Sequence, residues 1–348
     1  MSLAACRVCG GKDVALHTRY RALPIYIWPL PEGQTHERED AELHVCADCG
    51  HMQLQDFPPE FFPKLYAHEA FNLEDQEEHA RRAAAMGKDF FKGKKVLDVG
   101  GGVNSFAATL KGAEAWVCDF SISPEVRKSV AKAVEGDIAT AALPAGYFDV
   151  VCFTHCIEHL NSPAAVIEKC AGLLKKDGII FVEVPNAPEV IARMPYYAVF
   201  HQHVNLFSIE ALDWLFSKKF KRQQLLRSDN VILAAYSHGS AKPASSKGKQ
   251  YADLLNKKLG ELEASLRALP LDANPSHVAL RGAGGSATLL LAHFPWLAQK
   301  ISHCYDQDSR KQGRRLPGTT LTIEPPEKID SQVKQMLYIA PTVRIEKL

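Results

Sequence analysis

The chain has 348 residues, more than one ordinary hydrophobic core accommodates, so two or three domains are expected. Hydrophobic residues make up 46% of the sequence and charged residues 23%, a composition typical of a globular protein in water. The formal net charge of +1 gives no general attraction to nucleic acid or to a membrane surface. No apolar run is long enough to cross a bilayer, so we expect no membrane partner. Because the net charge is close to zero, we also disfavour a nucleic-acid partner.

The start of the chain and its cysteines predict a cellular location. The segment MSLAACRVCGGKD lacks the charged start and the apolar run of a signal peptide. The nine cysteines are an odd number; four form two CxxC pairs and the others are scattered in apolar contexts. This usage favours a reducing cytoplasm over a disulfide framework.

Two copies of a CxxC motif, each followed by glycine, frame the N-terminal region. Two thiolates three positions apart can reach one tetrahedral zinc ion from a tight turn, and the glycine lets the backbone turn without a clash. Four sulfurs would leave no open coordination position, so the predicted zinc is structural; a redox CxxC is the alternative. The enclosed segment is rich in proline, glycine and charge, so zinc is expected to supply much of its folding energy. The predicted ligands are Cys6, Cys9, Cys46 and Cys49.

The middle of the chain alternates predicted strands and helices. QEEHARRAAAMGKDFF predicts a helix, and KKVLDVGGGVNSFAATL predicts a strand, a glycine-rich turn and a helix. AWVCDF, FDVVCFTHCIEHL and GIIFVEVPN predict further strands, and FKRQQLLRSDNVILAAYS predicts a closing hairpin. Two acidic residues follow strand ends: Asp119 could accept hydrogen bonds from a ribose, and Asp137 could hold an adenine amino group.

This order of elements resembles the class I S-adenosylmethionine-dependent methyltransferase fold. The resemblance rests on the run DVGGG at residues 98–102, on the two acidic residues above and on IEHL at residues 157–160. It implies glycines that let the backbone approach the methionine end of the cofactor, and an aspartate that binds its amino group. A nicotinamide Rossmann domain would prefer G-x-G-x-x-G, whose last glycine is absent here, and a fold without ligand is the other alternative. The predicted cofactor-binding residues are Asp98, Gly100, Gly102, Asp119, Asp137 and His155.

The last third of the chain repeats the strand–glycine–helix pattern. A polar segment before it predicts a long helix with one apolar stripe, and HVALRGAGGSATLLLAHFP, ISHCYDQD and MLYIAP predict a small α/β domain. Its basic loop KQGRRLPG could hold a phosphate or form a solvated surface. The domain itself could bind a second cofactor, cover the active site or mediate dimerisation, and a homodimer is one expectation.

The predicted fold class is therefore α/β, with three parts. A class I methyltransferase (Rossmann-like) core, residues 71–240, lies between an N-terminal zinc-binding module, residues 1–70, and a C-terminal small α/β domain with its linker helix, residues 241–348. The whole order, including GAGG and KQGRRLPGT, resembles the sugar C-methyltransferase family. That resemblance implies a nucleotide-linked deoxy-keto-sugar as substrate.

The resemblance also implies roles for a histidine pair. The family's Tyr-His-Glu-His run maps onto FHQH at residues 200–203, which makes His203 the general base and His201 an orienting or substrate-contact residue. His159, in IEHL, would border the methyl-donor site and donate to the substrate. Substrate contacts are assigned to Tyr66, Glu69 and Asn186.

Two departures from the family run leave the acceptor atom open. Phe200 replaces a tyrosine and cannot donate to an enolate, and Gln202 replaces a glutamate and cannot take a proton. The alternatives are an O- or N-methyltransferase of another small molecule, a zinc-module RNA methyltransferase and a non-catalytic interaction protein. The histidines could also be metal ligands, with His155 and His159, or structural residues of the core.

Overall fold

The computed structural model describes residues 3–34, 36–57, 76–87, 89–339 and 344–347. Within these residues the strands form three sheets of four, seven and five strands. The strands are β1 (Val14–Pro24), β2 (Arg38–Cys46), β3 (Met52–Leu54), β4 (Lys95–Val99), β5 (Glu114–Asp119), β6 (Lys132–Glu135), β7 (Phe148–Thr154), β8 (Leu174–Pro185), β9 (Asn205–Leu206), β10 (Phe220–Ser228), β11 (Val231–His238), β12 (Val278–Arg281), β13 (His303–Tyr305), β14 (Ile323–Glu324), β15 (Gln335–Tyr338) and β16 (Arg344–Lys347).

The helices flank these sheets. They are α1 (Gln76–Met86), α2 (Pro124–Ser129), α3 (Pro163–Leu173), α4 (Ala187–Arg193), α5 (Ile209–Phe216), α6 (Gly248–Arg267), α7 (Gly285–His293) and α8 (Pro295–Ala298). Ser123 and Ser208 cap α2 and α5, because each hydroxyl accepts from a backbone N–H of the first turn. Among the described residues, no helix combines the length and the apolar character needed to cross a membrane.

The first sheet is antiparallel and has the order β1-β2-β3-β9. Its last strand comes from residues 205 and 206, far along the chain from the other three. Met52 pairs with Leu206 and Gln53 with Asn205 in this contact. The segment that follows the FHQH run is therefore fixed to the N-terminal sheet.

The seven-stranded sheet has the order β6-β5-β4-β7-β8-β11-β10. Strands β4 to β8 are parallel, and β11 runs antiparallel to both of its neighbours. This is the strand order of class I methyltransferases, so the predicted fold of the core is confirmed. The order reverses beside β4, and in such sheets ligands bind outside the carboxyl ends of the strands at that point.

The third sheet has the order β14-β13-β12-β15-β16, with β16 alone antiparallel among its described strands. Helix α7 follows β12 and is buried along most of its length. A C-terminal α/β domain is thus present, as predicted. Helix α6 packs its apolar stripe against two cores: Leu255 lies in the core beneath the N-terminal sheet and Leu266 in the core of the third sheet.

Candidate active site

The carboxyl ends of β4, β5, β7 and β8 place several predicted residues at one edge of the central sheet. Asp98 lies within β4, Asp119 ends β5, and His155 directly follows β7. Glu183 lies near the end of β8 and pairs with Thr154 across the sheet. The parallel direction of these strands, which the sequence predicted, is what brings the four side chains to the same edge.

Asp98 is fully buried beneath the glycine-rich turn. Its Oδ2 accepts a hydrogen bond from Ser105 Oγ at 2.7 Å and from the backbone N–H of Ala107 at 3.1 Å. Burial raises the pKa of this carboxyl, and the two hydrogen bonds offset part of the rise. Oδ1 is buried and accepts no hydrogen bond from any described residue. An oxygen left in this state suits a ligand that brings its own donor, such as an ammonium group.

At Gly100 and Gly102, neighbouring protein atoms leave no space for a side chain. Gly100 has a φ of +86°, and a Cβ there would lie 2.6 Å from Cys156 Sγ. A Cβ on Gly102 would lie 1.9 Å from the carbonyl oxygen of Ser121. The close packing of the turn on its own protein neighbours is thus a reason for glycine at both positions, beside the predicted approach of the backbone to the cofactor.

Asp119 and Asp137 are placed close together by the strand ends. The carboxylate of Asp119 accepts from the backbone N–H of Gly102 at 2.9 Å and of Ser121 at 3.2 Å. Its own carbonyl accepts from Gly136 N–H at 2.9 Å, which fixes the exposed Asp137 beside it. Asp137 Oδ1 accepts from Ala139 N–H at 2.9 Å. The two carboxylates are thus held by backbone amides at the edge where a nucleoside was predicted.

His155 lies between two buried glutamates. Its Nδ1 is 3.2 Å from Glu158 Oε1, and its Nε2 is 3.1 Å from Glu183 Oε1. Burial by itself would lower the pKa of His155, but the hydrogen bonds and charges of the two glutamates raise it to about 10. Arg82 of α1 donates to the same Glu183 oxygen from Nε at 3.0 Å. Burial would raise the pKa of Glu183, yet His155 and Arg82 lower it to about 2.

His159 and His203 are brought together, although they are far apart in the sequence. Their ring centroids are 4.9 Å apart, and His159 Nδ1 is 2.7 Å from the carbonyl oxygen of Gln202. A carbonyl only accepts, so His159 donates from Nδ1. The ring of Phe200, itself buried, packs on His203 with centroids 4.1 Å apart. Burial, together with the electrostatic influence of the two neighbouring histidines His159 and His155, holds the pKa of His203 well below its ordinary value.

His201 and Asn186 make contacts of another kind. His201 is fully buried, with Nδ1 3.2 Å from the carbonyl oxygen of Pro24 and its ring against Phe57. Burial lowers its pKa to about 4. The Asn186 amide donates to two carbonyls of the β10–β11 turn, at 3.1 and 2.9 Å. Both side chains are held by backbone carbonyls of the protein, which fits an orienting role for His201, and the substrate contacts assigned to the two residues stay predictions. Tyr66 and Glu69 lie outside the described residues.

The four predicted cysteine ligands form one cluster. The Sγ atoms of Cys6 and Cys49 are 3.6 Å apart and those of Cys9 and Cys46 are 3.7 Å apart. A zinc–sulfur bond of about 2.3 Å gives a tetrahedron with an edge of about 3.8 Å, so the spacing is compatible with zinc. The glycine after each pair has a left-handed backbone, and its N–H donates to the first cysteine of that pair at 2.9 Å.

A second group of metal-ligand residue types consists of Glu158, His159 and His203. Their nearest ligand atoms lie within 4.8 Å of one another, and Glu158 Oε1 is 4.0 Å from His159 Nε2. Nitrogen and oxygen ligands about 2.1 Å from a tetrahedral ion would be separated by about 3.4 Å. This cluster is therefore wider than an assembled metal site.

Comparison with known proteins separates the chain into two matched regions. Residues 66–219 match the family described as a methyltransferase domain. The middle of this chain is therefore similar to methyltransferase domains. Residues 246–344 match a second family, described as a C-methyltransferase C-terminal domain. Together the two matches support a family of S-adenosylmethionine-dependent C-methyltransferases.

Individual relatives share part of their length with this chain. The C-methyltransferase NovU of Streptomyces niveus is 27% identical over 51% of this chain and 47% of its own. The ubiquinone biosynthesis O-methyltransferase of Azotobacter vinelandii is 37% identical over 32% of this chain and 48% of its own. The chain thus spans about half the length of the curated relatives it matches.

Solved structures give two further likenesses. The PH0226 protein from Pyrococcus horikoshii has a TM-score of 0.41 at 18% identity and covers 53% of this chain and 100% of its own. The 1,6-didemethyltoxoflavin-N1-methyltransferase of Burkholderia thailandensis was solved with S-adenosylhomocysteine. It has a TM-score of 0.37 at 15% identity, and the match covers 47% of this chain and 78% of that protein.

Sequence reasoning missed the buried charges that surround His155. Glu158 lies inside the quoted IEHL segment, but its neighbour His159 was the residue chosen from it. Glu183 had a clear signal: it is the one charged residue in the otherwise apolar run IIFVEVP. A carboxylate in a central parallel strand must be paired, and its partner Arg82 comes from α1.

Proposed function

We propose that this chain transfers a methyl group from S-adenosylmethionine to a small molecule, and that the acceptor is a nucleotide-linked keto-sugar. The observation that carries the proposal is the His159–His203 pair, at the same sheet edge as the Asp98 turn in a methyltransferase domain. The match of the C-terminal region to a C-methyltransferase domain supports carbon as the acceptor atom. The net charge of +1 favours a small molecule over RNA.

Three carboxylates fit the cofactor. Asp98 Oδ1 has no donor among the described residues and can accept from an ammonium group. Asp119 and Asp137 keep acceptor capacity beyond their backbone contacts, which suits the hydroxyls and the amino group of a nucleoside. When bound, S-adenosylmethionine supplies an electrophilic methyl group on a sulfonium that is a good leaving group.

His203 is the proposed general base. Its low pKa keeps the imidazole neutral at pH 7, so that a ring nitrogen can accept a proton. The Phe200 ring orients the imidazole, and His159 is oriented by its hydrogen bond to Gln202. Removal of the proton next to a carbonyl leaves an enolate carbon, which is the nucleophile that carbon methylation needs. Asp98, Asp119 and Asp137 would hold the cofactor while His203 and His159 face the acceptor.

Structural zinc is the second part of the proposal. Cys6, Cys9, Cys46 and Cys49 have the residue type and the spacing for a closed four-sulfur site. Such a site has no open position, so its contribution is to the folding of the N-terminal sheet.

Oxygen methylation is the competing function. Phe200 contacts His203 where the sugar C-methyltransferase run has tyrosine, and its ring has no hydroxyl to stabilise an enolate. A histidine base can also remove the proton of a hydroxyl group. The relatives named ubiquinone biosynthesis O-methyltransferases match only 27–32% of this chain, whereas the C-methyltransferase NovU matches 51%.

The test is a methyl-transfer assay in heavy water. The acceptors are nucleoside-diphosphate-linked keto-sugars and phenols, with His203→Ala as the inactive variant and the exposed Glu168→Gln as the matched control. If the enzyme methylates carbon, deuterium should enter the sugar at the carbon next to its carbonyl. After this deuterium has been exchanged back to hydrogen, the methylated sugar should be 14 mass units heavier than the substrate. Methylated phenol without sugar exchange would establish the O-methyltransferase instead, and no product with any acceptor would refute both.

A further inference from the structure

Glu158 carries a buried oxygen that lacks a donor. Its side chain is 1% exposed, and Oε1 accepts from His155 at 3.2 Å. Oε2 is buried and makes no hydrogen bond to any described residue. A carboxylate oxygen left in this state costs free energy, so a fold retains it where a donor arrives during function.

The charges behind Glu158 keep it a carboxylate. His155 contacts a carboxylate oxygen with each ring nitrogen, and both contacts are donations only when the ring is a cation. The buried Arg82 completes an alternating series of Arg82, Glu183, His155 and Glu158. The series is neutral as a whole, and its last member is the negative charge nearest the histidine pair.

Glu158 lies within reach of both histidines. Its Oε1 is 4.0 Å from His159 Nε2, and one of its oxygens lies within 4.8 Å of a ring nitrogen of His203. Since His159 donates from Nδ1 to Gln202, its Nε2 is the atom that would carry a second proton. That N–H would then point toward a carboxylate instead of a carbonyl.

We propose that Glu158 is a positioning residue of the methyl-transfer site: it stabilises the positive charge that the His159–His203 pair takes up with the acceptor's proton. This inference rests on the proposed function. In the step concerned, the C–H bond next to the acceptor's carbonyl breaks and its electron pair stays on the acceptor as an enolate. The proton forms a bond to a ring nitrogen of His203 and leaves to solvent after methyl transfer.

Groups on every neighbouring element bear on this charge. The turn after β7 supplies His155, Glu158 and His159, and β8 supplies Glu183. From the turn of the first CxxC pair, Arg7 donates to the carbonyl oxygen of Val204 at 3.0 Å, next to His203. Of these groups, Glu158 is the carboxylate nearest the pair, so its removal should make protonation of His203 harder.

The direct test is histidine NMR on the full chain. In Glu158→Gln the side chain keeps its shape and loses its charge, and the titration midpoint of His203 should fall by about one pH unit or more. Glu158→Asp keeps the charge but withdraws it by one methylene, so a smaller fall is expected. Thermal melts check folding, and if the Gln variant does not fold, the Asp variant decides. An unchanged His203 midpoint in a folded variant overturns the proposal.

Kinetic measurements test whether the charge of Glu158 also affects His203 during catalysis. For Glu158→Gln we expect the acid limb of kcat/KM to move to lower pH and kcat to fall about tenfold or more, since a weaker base accepts the proton less well. Glu168→Gln, which removes an exposed charge on α3, should leave both unchanged. A lower kcat with an unmoved acid limb overturns the proposal. If the unaltered protein methylates no acceptor, the proposed function fails, while the NMR arm still decides the coupling.

Discussion

Two groups of metal-ligand residue types lie in the described part of this protein, and they differ in the spacing of their ligand atoms. The four cysteine sulfurs are separated by 3.6 and 3.7 Å where measured in pairs, which matches a tetrahedron around zinc. In the second group, Glu158 Oε1 and His159 Nε2 are 4.0 Å apart, a wider spacing than that of either sulfur pair. The spacing of the cysteine group is thus the one that fits a closed zinc site.

The two groups are linked by Asn205. Its Oδ1 is 3.2 Å from Nε2 of His51, which lies two residues after Cys49. Its Nδ2 donates to the carbonyl oxygen of Leu160 at 2.7 Å, at the end of the turn that carries Glu158 and His159. The cysteine group therefore supports the position of the histidine group, and loss of the first should disturb the second.

The largest effect is expected from the cysteine group. Cys46→Ala, or removal of metal by a strong chelator, should unfold the N-terminal sheet and abolish methyl transfer, because a closed zinc site contributes folding free energy directly. Circular dichroism and metal analysis check this, with one zinc per chain expected. Cys170→Ala removes a buried thiol elsewhere and should keep the zinc. Two bound ions per chain, or a metal-free protein with an unchanged Tm, would contradict a single structural zinc site at the four cysteines.

The next effect separates chemistry from folding. His203→Ala should lower kcat by about 100-fold to 10,000-fold, the usual contribution of a general base, without loss of cofactor binding. His201→Ala is the matched control from the same run, because His201 contacts Pro24 and Phe57. It should lower the Tm and leave kcat of the folded enzyme nearly intact. If His203→Ala and His201→Ala lowered kcat equally, His203 would have no catalytic role distinct from that of His201.

The buried charges behind the histidine group should matter for stability. Arg82→Met leaves Glu183 buried without its guanidinium partner, which should cost about 3–5 kcal/mol in the free energy of unfolding. Lys219→Met breaks an ion pair with Glu168 on the surface and should cost about 0–1 kcal/mol. Urea denaturation measures both. If Arg82→Met and Lys219→Met lowered the free energy of unfolding by similar amounts, the buried contact between Arg82 and Glu183 would not contribute as we expect.

A gradual effect is expected from the pH dependence of stability. Folding raises the pKa of His155 from 6.5 to about 10, so its contribution is complete below pH 6.5 and is lost as the pH rises through 10. The free energy of unfolding should therefore decline between these values, and the decline should be shallower in His155→Gln. Urea midpoints at several pH values provide the measurement, and identical slopes in the two proteins would count against a buried cation.

The sequence predicted the alternation of strands and helices because the buried strands of the core are short apolar runs, of which β4 is followed by glycines and β5 ends in an aspartate. It also predicted the cysteine group, since the two ligand pairs are local motifs. It predicted less well where a side chain points. His201 and His203 are two residues apart, yet one contacts the N-terminal sheet and the other contacts His159. That difference depends on β9, a two-residue strand with no pattern of its own.

By itself, the sequence determined the class of the fold, the cofactor edge and the four sulfurs, because local spacing and strand periodicity are written along the chain. Only the tertiary structure decided which charges meet. Arg82, Glu158 and Glu183 come from a helix, a turn and a strand, and they form one buried series around His155 only after the sheet has assembled. The cost of burying each charge alone is what forces them together, and that cost depends on burial, which no short motif records.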